Sequence, residues 1–318
     1  MFPIAVVMIL ALFALLPAAA SADGLPAVGI DATPLSAPGG DVAYVTNAGK
    51  HSTRVVERSR HGGVLRERRI DGVFSLPAVA YDGSPAGLSA DGRTLVLISP
   101  RTRYPRRHTT LAVLDAKRLT VRREIGLEGD FSFDAIAPNG RTMYLVKYDP
   151  RNFGEYDVRA YDLRAERLIA KPIVDPREPD EQMYGVPVTR ESSPDGRWAY
   201  TLYDNPKHPF VHALDTSGRT AACIDLDDVK SAWGATLDLR GPTLRVVGAR
   251  GNLLAAVDTV TNKVIPGAGA APSKAAAGAD APANDGGTPW LPMALLAAAL
   301  LVLSATALRR HYRPAATA

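Results

Sequence analysis

The chain has 318 residues, 46% of them hydrophobic and 22% charged, with a formal net charge of +4. That balance excludes a disordered or low-complexity chain and leaves room for one large domain or two small ones. A single cysteine, Cys223, excludes an intramolecular disulfide, so the fold must rest on its core.

At the N-terminus, Phe2 to Ala19 is almost wholly apolar, and Ala20, Ser21 and Ala22 supply small residues before Asp23. This reads as a signal peptide over 1–22, although no Lys or Arg precedes the apolar run. A retained N-terminal membrane helix is the alternative.

The central region, 23–266, repeats itself. Gly87 opens GLSADGRTLVLIS, Ala135 opens AIAPNGRTMYLVK and Glu191 opens ESSPDGRWAYTLY. Each predicts a short strand, a tight Gly turn and a second, apolar strand, because Asp-Gly and Asn-Gly accept the positive φ of such turns. Fainter copies place equivalent glycines at Gly40 and Gly241, so that Gly40, Gly92, Gly140, Gly196 and Gly241 are spaced by 52, 48, 56 and 45 residues. A second marker runs in phase: Asp115, Asp162, Asp215 and Asp258 each end an apolar strand ahead of another turn. An Asp carboxylate that accepts amides two residues on explains this recurrence better than catalysis does. Cys223 falls in the strand-like run Thr220 to Leu226 and reads as a small buried hydrophobe.

Four short strands per repeat of this length predict an all-β β-propeller of five four-stranded blades. A sixth blade would require strands in the long stretch Ile70 to Ser84, and Val28 to Asp31 could add a ring-closing strand. Val42 to Asn47 (VAYVTN) resembles the signature of YVTN-type propeller repeats, and Val257 to Val264 (VDTVTNKV) resembles another part of the same repeat. Ser193 to Arg197 (SPDGR) is similar to the turn of WD40-like and TolB-type repeats. The resemblance implies the fold and leaves function open, since such propellers range from scaffolds to enzymes.

After the repeats, 267–288 is rich in Ala, Gly and Pro and reads as a flexible stalk. Trp290 to Leu308 carries no charged side chain, close to the ~20 residues that cross a bilayer as helix. A transmembrane helix is expected over 289–308. Arg309, Arg310, His311 and Arg313 follow and predict a cytoplasmic tail over 309–318. The segment also resembles a sortase sorting signal, but of LPxTG only Leu291-Pro292 is present. The expected address is a single-pass cell-membrane protein with its propeller outside.

Up-and-down strands put the stereotyped Gly and Asp turns on one face and the long, irregular loops on the other. Irregular loops on a rigid scaffold carry most binding sites. The candidate ligand-binding residues are therefore Arg103, Tyr104, Arg106, Arg107, His108, Tyr148, Asp149, Tyr203, Asp204 and His208. Charge is uneven: residues 41–125 hold 16 Lys/Arg against 8 Asp/Glu, and 126–266 hold 17 against 21. The basic loop suits a surface polymer or anionic headgroups, or is simply solvated.

No G-x-S-x-G elbow and no Gly-rich nucleotide loop is present, so no catalytic residue and no cofactor is assigned. His51, His108 and His208 fall in corresponding loops and could converge in a ring; the acidic run Glu178, Asp180, Glu181 could bind a cation. No metal site is assigned from them. The expectation is a membrane-anchored binding module that takes a surface polymer or a protein and not nucleic acid. The alternative is a hydrolase or lactonase-like propeller enzyme with a central metal.

Overall fold

The computed structural model describes residues 33–152, 154–205 and 207–267. The expected signal segment, closing strand, membrane helix and tail lie outside the described residues, as does the stalk beyond Gly267. Among the described residues no helix is long and apolar enough to cross a membrane.

The strands fall into five antiparallel sheets in chain order. The first contains β1 (Leu35–Ser36), β2 (Val42–Ala48), β3 (Ser52–Ser59) and β4 (Val64–Asp71). The second contains β5 (Thr94–Ile98), β6 (His108–Asp115) and β7 (Thr120–Glu128), with Leu88 bridged to Leu95 in the innermost position. The third contains β8 (Phe131–Ile136), β9 (Thr142–Tyr148), β10 (Glu155–Asp162) and β11 (Arg167–Leu168), and β12 (Met183–Tyr184) pairs with the start of β10. The fourth contains β13 (Val186–Ser192), β14 (Trp198–Asp204), β15 (Phe210–Asp215) and β16 (Thr220–Asp225). The fifth contains β17 (Thr236–Arg240), β18 (Thr243–Val247), β19 (Leu253–Asp258) and β20 (Lys263–Val264). Five such sheets in sequence are the blades of a β-propeller. The last blade obtains its fourth strand from β20, the chain's own continuation.

Both repeat markers mark real turns. Gly40, Gly92, Gly140, Gly196 and Gly241 all have positive φ, between 56° and 74°. Each Asp marker accepts two amides: Asp115 Oδ1 from Lys117 and Arg118, Asp162 Oδ1 from Arg164 and Ala165, Asp215 Oδ1 from Ser217 and Gly218, Asp258 Oδ1 from Val260 and Thr261. Four residues after each Asp the backbone enters the left-handed region, at Leu119, Glu166, Arg219 and Asn262. Non-glycine residues rarely go there, and the carboxylate-held turn is what keeps them in place.

Blade packing follows from strand alternation. In β5, Leu95 and Leu97 face blade 1, where they meet Tyr44, Val55 and Ile70, while Val96 and Ile98 face Phe131, Phe133 and Met143 of blade 3. Tyr144, Val158 and Ala160 pack on Ala199, Leu214 and Ala221 between blades 3 and 4. Leu202 and Val211 pack on Leu237, Leu244 and Val246 between blades 4 and 5. Each buried Leu, Val or Phe contributes roughly 1.5–3 kcal/mol of transfer free energy, so the blades hold each other. Among the described residues no apolar cluster joins blade 5 to blade 1.

The stretch Ile70 to Ser84 does not make a sixth blade. Ser75 bridges Ile98 at one end of the innermost line of blade 2, and Gly87 and Leu88 pair with Val96 and Leu95 at the other. Between them, residues 77–86 loop out as a short hairpin held by Val79 N to Ser84 O and Ala86 N to Pro77 O, both 2.9 Å. Its tip reaches blade 4, where Tyr81 N donates to Pro187 O at 2.8 Å and Asp82 N to Val188 O at 3.1 Å. The preceding segment is pinned to blade 1, with Phe74 N donating to Thr53 Oγ1 and Leu76 N to Thr46 Oγ1. The hairpin is thus a strap that links the inner strands of blades 2 and 4.

Gly87 has φ of 114°, and an added Cβ would lie 2.4 Å from Val96 O, whereas Gly92 (φ 65°) has open space. Gly87→Ala is expected to cost roughly 2–3 kcal/mol or more and Gly92→Ala about 1 kcal/mol, read from urea unfolding midpoints. Hydrogen bonding from Arg122, ahead of the turn amides, holds the Asp115 carboxyl down from its usual 3.8 to about 2. A folded pKa below the unfolded one means the stabilisation is complete above pH ~4 and is lost as pH falls through about 2. Urea midpoints measured across that window should fall more steeply for the wild type than for Asp115→Asn.

Candidate loop-face binding site

The loops joining β2 to β3, β5 to β6, β9 to β10, β14 to β15 and β18 to β19 share one face with the connections between blades. The candidate residues divide there into a surface layer and a buried support.

The β5–β6 loop builds the basic sector. Arg103, Tyr104, Arg107 and His108 are exposed, but Arg106 is only 7% exposed. Its guanidinium donates to Ser99 O at 2.9 Å and to Phe131 O, and its amide donates to Asp130 Oδ2 at 3.1 Å. Arg101 donates to the same Asp130 carboxylate at 2.7 Å. Arg106 Nε lies 3.2 Å from Asp130 Oδ1, so two guanidinium groups share one buried carboxylate, which ties the loop of blade 2 to the start of β8. Arg106 is a strut for the loop rather than part of its surface.

An aromatic row runs from this loop across blade 3. Tyr104 lies edge-on to Tyr148, with centroids 6.2 Å apart; Tyr148 meets Tyr156, Tyr156 stacks on Tyr203 at 5.5 Å, and Tyr203 on Phe210 at 5.0 Å. The Arg101 guanidinium lies 4.8 Å from the Tyr148 centroid, a cation–π distance. Tyr148 is half-buried, whereas Tyr203 is buried and takes no place on the surface. Burial pushes the Tyr104 hydroxyl up to about 12.

Two of the candidate aspartates shape loops. Asp149 Oδ1 accepts the amides of Arg151, at 2.7 Å, and Asn152, which hold its carboxyl below the ordinary range. Asp204 Oδ1 accepts Ala232 N at 2.7 Å and Ser231 Oγ at 3.3 Å, fixing the connection from blade 4 to blade 5.

His51, His108 and His208 do not converge among the described residues. His208 groups instead with Asp225 and Asp227, their nitrogen and oxygen atoms lying within 4.8 Å of one another at the outer strand of blade 4. Burial raises the Asp225 carboxyl, and neighbouring Glu178 and Asp227 add to the effect. Burial and Glu178 likewise raise Glu181. Cys223 is half-buried, 3.7 Å from Met183 Sδ, and burial pushes its thiol up, away from thiolate chemistry.

Under the face, a gap of about 10 Å³, room for no more than one water, is lined by Val79 of the strap, Ser132, Asp134, Tyr148, Tyr156 and Tyr203. Asp134 is bound by Arg190, which also donates to Asp134 O at 3.0 Å and to Thr201 Oγ1 at 2.7 Å. This ion pair joins β8 to β13 and engages all three guanidinium nitrogens. Burial holds His212 down to about 4, so it is neutral at pH 7. The Arg190 contacts hold blades 3 and 4 in position.

Sequence reasoning missed a second surface feature. Tyr81 at the tip of the strap lies 4.5 Å, centroid to centroid, from Trp233 in the connection between blades 4 and 5. Val186 pairs with Asp204, and Tyr184 O accepts Asn205 Nδ2 at 3.0 Å, so both stand beside that pair. Tyr81, Tyr184, Val186 and Trp233 are 45%, 40%, 41% and 52% exposed. Trp233 follows turn residues and Tyr81 precedes Asp-Gly, but nothing in one dimension pairs positions so far apart.

No protein-family model matches this chain. No curated protein matches it either. Among solved structures, it is similar to the β-propeller domain of Myceliophteria thermophila Cps50 (Swd1), with 15% identity over 69% of this chain and 63% of that one and a TM-score of 0.42. It is also similar to a putative TolB from Agrobacterium tumefaciens, with 14% identity over 74% and 79% and a TM-score of 0.45. The Dos1 propeller matches at 11% identity over 74% and 57%, with a TM-score of 0.44. At such scores the fold assignment rests on the five sheets themselves. The chain is a β-propeller with one loop-rich face, and no particular activity follows from that likeness.

Removing Asp130 tests the support under the basic loop. Asp130→Ala leaves two guanidinium groups without their shared carboxylate and is expected to cost about 3–5 kcal/mol. Denaturant unfolding reads that loss, which exposed Arg103→Ala should not reproduce.

Proposed function

We propose that this chain is a non-catalytic binding module that meets its partner through the loop-rich face and is held at the cell surface by a C-terminal helix. The observation that carries the reading is the placement of exposed apolar side chains. Tyr81, Tyr104, Tyr184, Val186 and Trp233, each at least 40% exposed, all lie on that face. Water-exposed aromatics gathered on one side of a monomer mark a contact surface, and Tyr, Trp and Arg dominate interface cores. Val64, Leu65 and Val260 are exposed too, but they stand at or beside the turns of the opposite face and include no aromatic.

The apolar segment Trp290 to Leu308 and the arginines after it support the anchored reading. β20 runs antiparallel to β19, back toward the loop-rich face, so Gly267 leaves the last blade on that side.

The reading is tested by placing a photoreactive phenylalanine analogue at Tyr81, Tyr104, Tyr184 or Trp233, with Val64 and Val260 as controls, and irradiating intact cells. Discrete higher-mass adducts are expected from the first four positions and not from the controls. Adducts from the controls alone, or none from the loop-rich face, would overturn it.

A further inference from the structure

We infer that the loop-rich face takes a second copy of this chain, in a two-fold pair that lays the basic sector of each copy on the acidic sector of the other. The inference rests on the reading of that face as a contact surface and names its partner.

The face carries two charge sectors of opposite sign. On blade 2, Arg103 and Arg107 are exposed and have no ion-pair partner among the described residues, and Tyr104 stands between them. Beneath them Arg101 and Arg106 share Asp130, so the support does not neutralise the loop. On blade 4 and its connections, the exposed carboxylates Glu178, Asp180, Glu181, Asp225, Asp227 and Asp228 outnumber the exposed Lys207 and Lys230; Arg177 is committed to Asp175, and His208 lies 3.4 Å from Asp225. Tyr81 and Trp233 stand on the blade 4 side of the face.

Symmetry decides between partners. Blade 3 separates the two sectors, and a two-fold axis lying in the plane of the face over blade 3 brings each sector of one copy onto the opposite sector of its mate. A single operation then satisfies both sectors and closes the assembly. A basic peptide would satisfy the acidic sector alone, and a polyanion the basic sector alone while being repelled by the other. A second copy carries the complementary pattern by identity. The same rotation brings Arg103 and Arg107 toward the exposed Tyr81–Trp233 pair, where a guanidinium gains from the ring faces as well as from the carboxylates.

The test uses the full chain in mild detergent, followed by sedimentation velocity over a concentration series at roughly 0.05 M and 0.5 M salt. A dimer is expected that loosens as salt rises. Arg103→Glu with Arg107→Glu, and separately Glu178→Arg with Asp227→Arg, should each weaken pairing about tenfold or more, with unchanged thermal midpoints. Mixing the two variants should restore a heterodimer, because each then supplies the charges the other lost. A monomeric wild type, a dimer indifferent to both variants, or a mixture that stays monomeric would overturn the inference. If the wild type is monomeric and the Trp233 photo-adduct persists, the partner assignment alone fails. If that adduct is absent as well, the contact-face reading falls with it.

Discussion

A four-stranded sheet with apolar side chains on both faces cannot cover either of them by itself. In this chain that need is met by the neighbouring blade. β5 shows it most clearly: it is buried along its whole length because alternate residues serve opposite neighbours, Leu95 and Leu97 on one side and Val96 and Ile98 on the other. No blade is a stable object alone, and the loops inherit their rigidity from this mutual burial.

The loop-rich face is stiffened again by polar links between blades. Asp130 gathers Arg101 and Arg106, Arg190 clamps Asp134, and the strap at 77–86 ties blade 2 to blade 4 through two backbone hydrogen bonds. These links hold the blades in position. His212 is neutral and enclosed, and Arg190 uses all three of its guanidinium nitrogens. What remains open to solvent there is a surface of aromatics, arginines and carboxylates.

Much of the architecture was legible because it is local. A glycine at a positive-φ apex and an aspartate that accepts the next turn's amides need only a few consecutive residues, so Gly40 to Gly241 and Asp115 to Asp258 could be read in order. The loop-rich face was legible for the same reason, as the complement of those turns. Arg106 and Tyr203 were not, since the burial of a long side chain depends on what the neighbouring blade brings over it. The stretch Ile70 to Ser84 left a sixth blade open; the strap it forms has partners in blades 1 and 4 that no local pattern announces.

Short-range spacing and composition were enough for the repeat, the turn chemistry and the uneven distribution of charge, whereas the choice of five blades over six needed the sheets themselves. Only the tertiary structure decided which arginines are struts and which are surface, that Tyr81 and Trp233 meet, and that acidic and basic sectors stand apart on one face. The physical reason is distance along the chain. Contacts between blades join residues tens to more than a hundred positions apart, and their energy depends on burial, which exists only once the blades have packed.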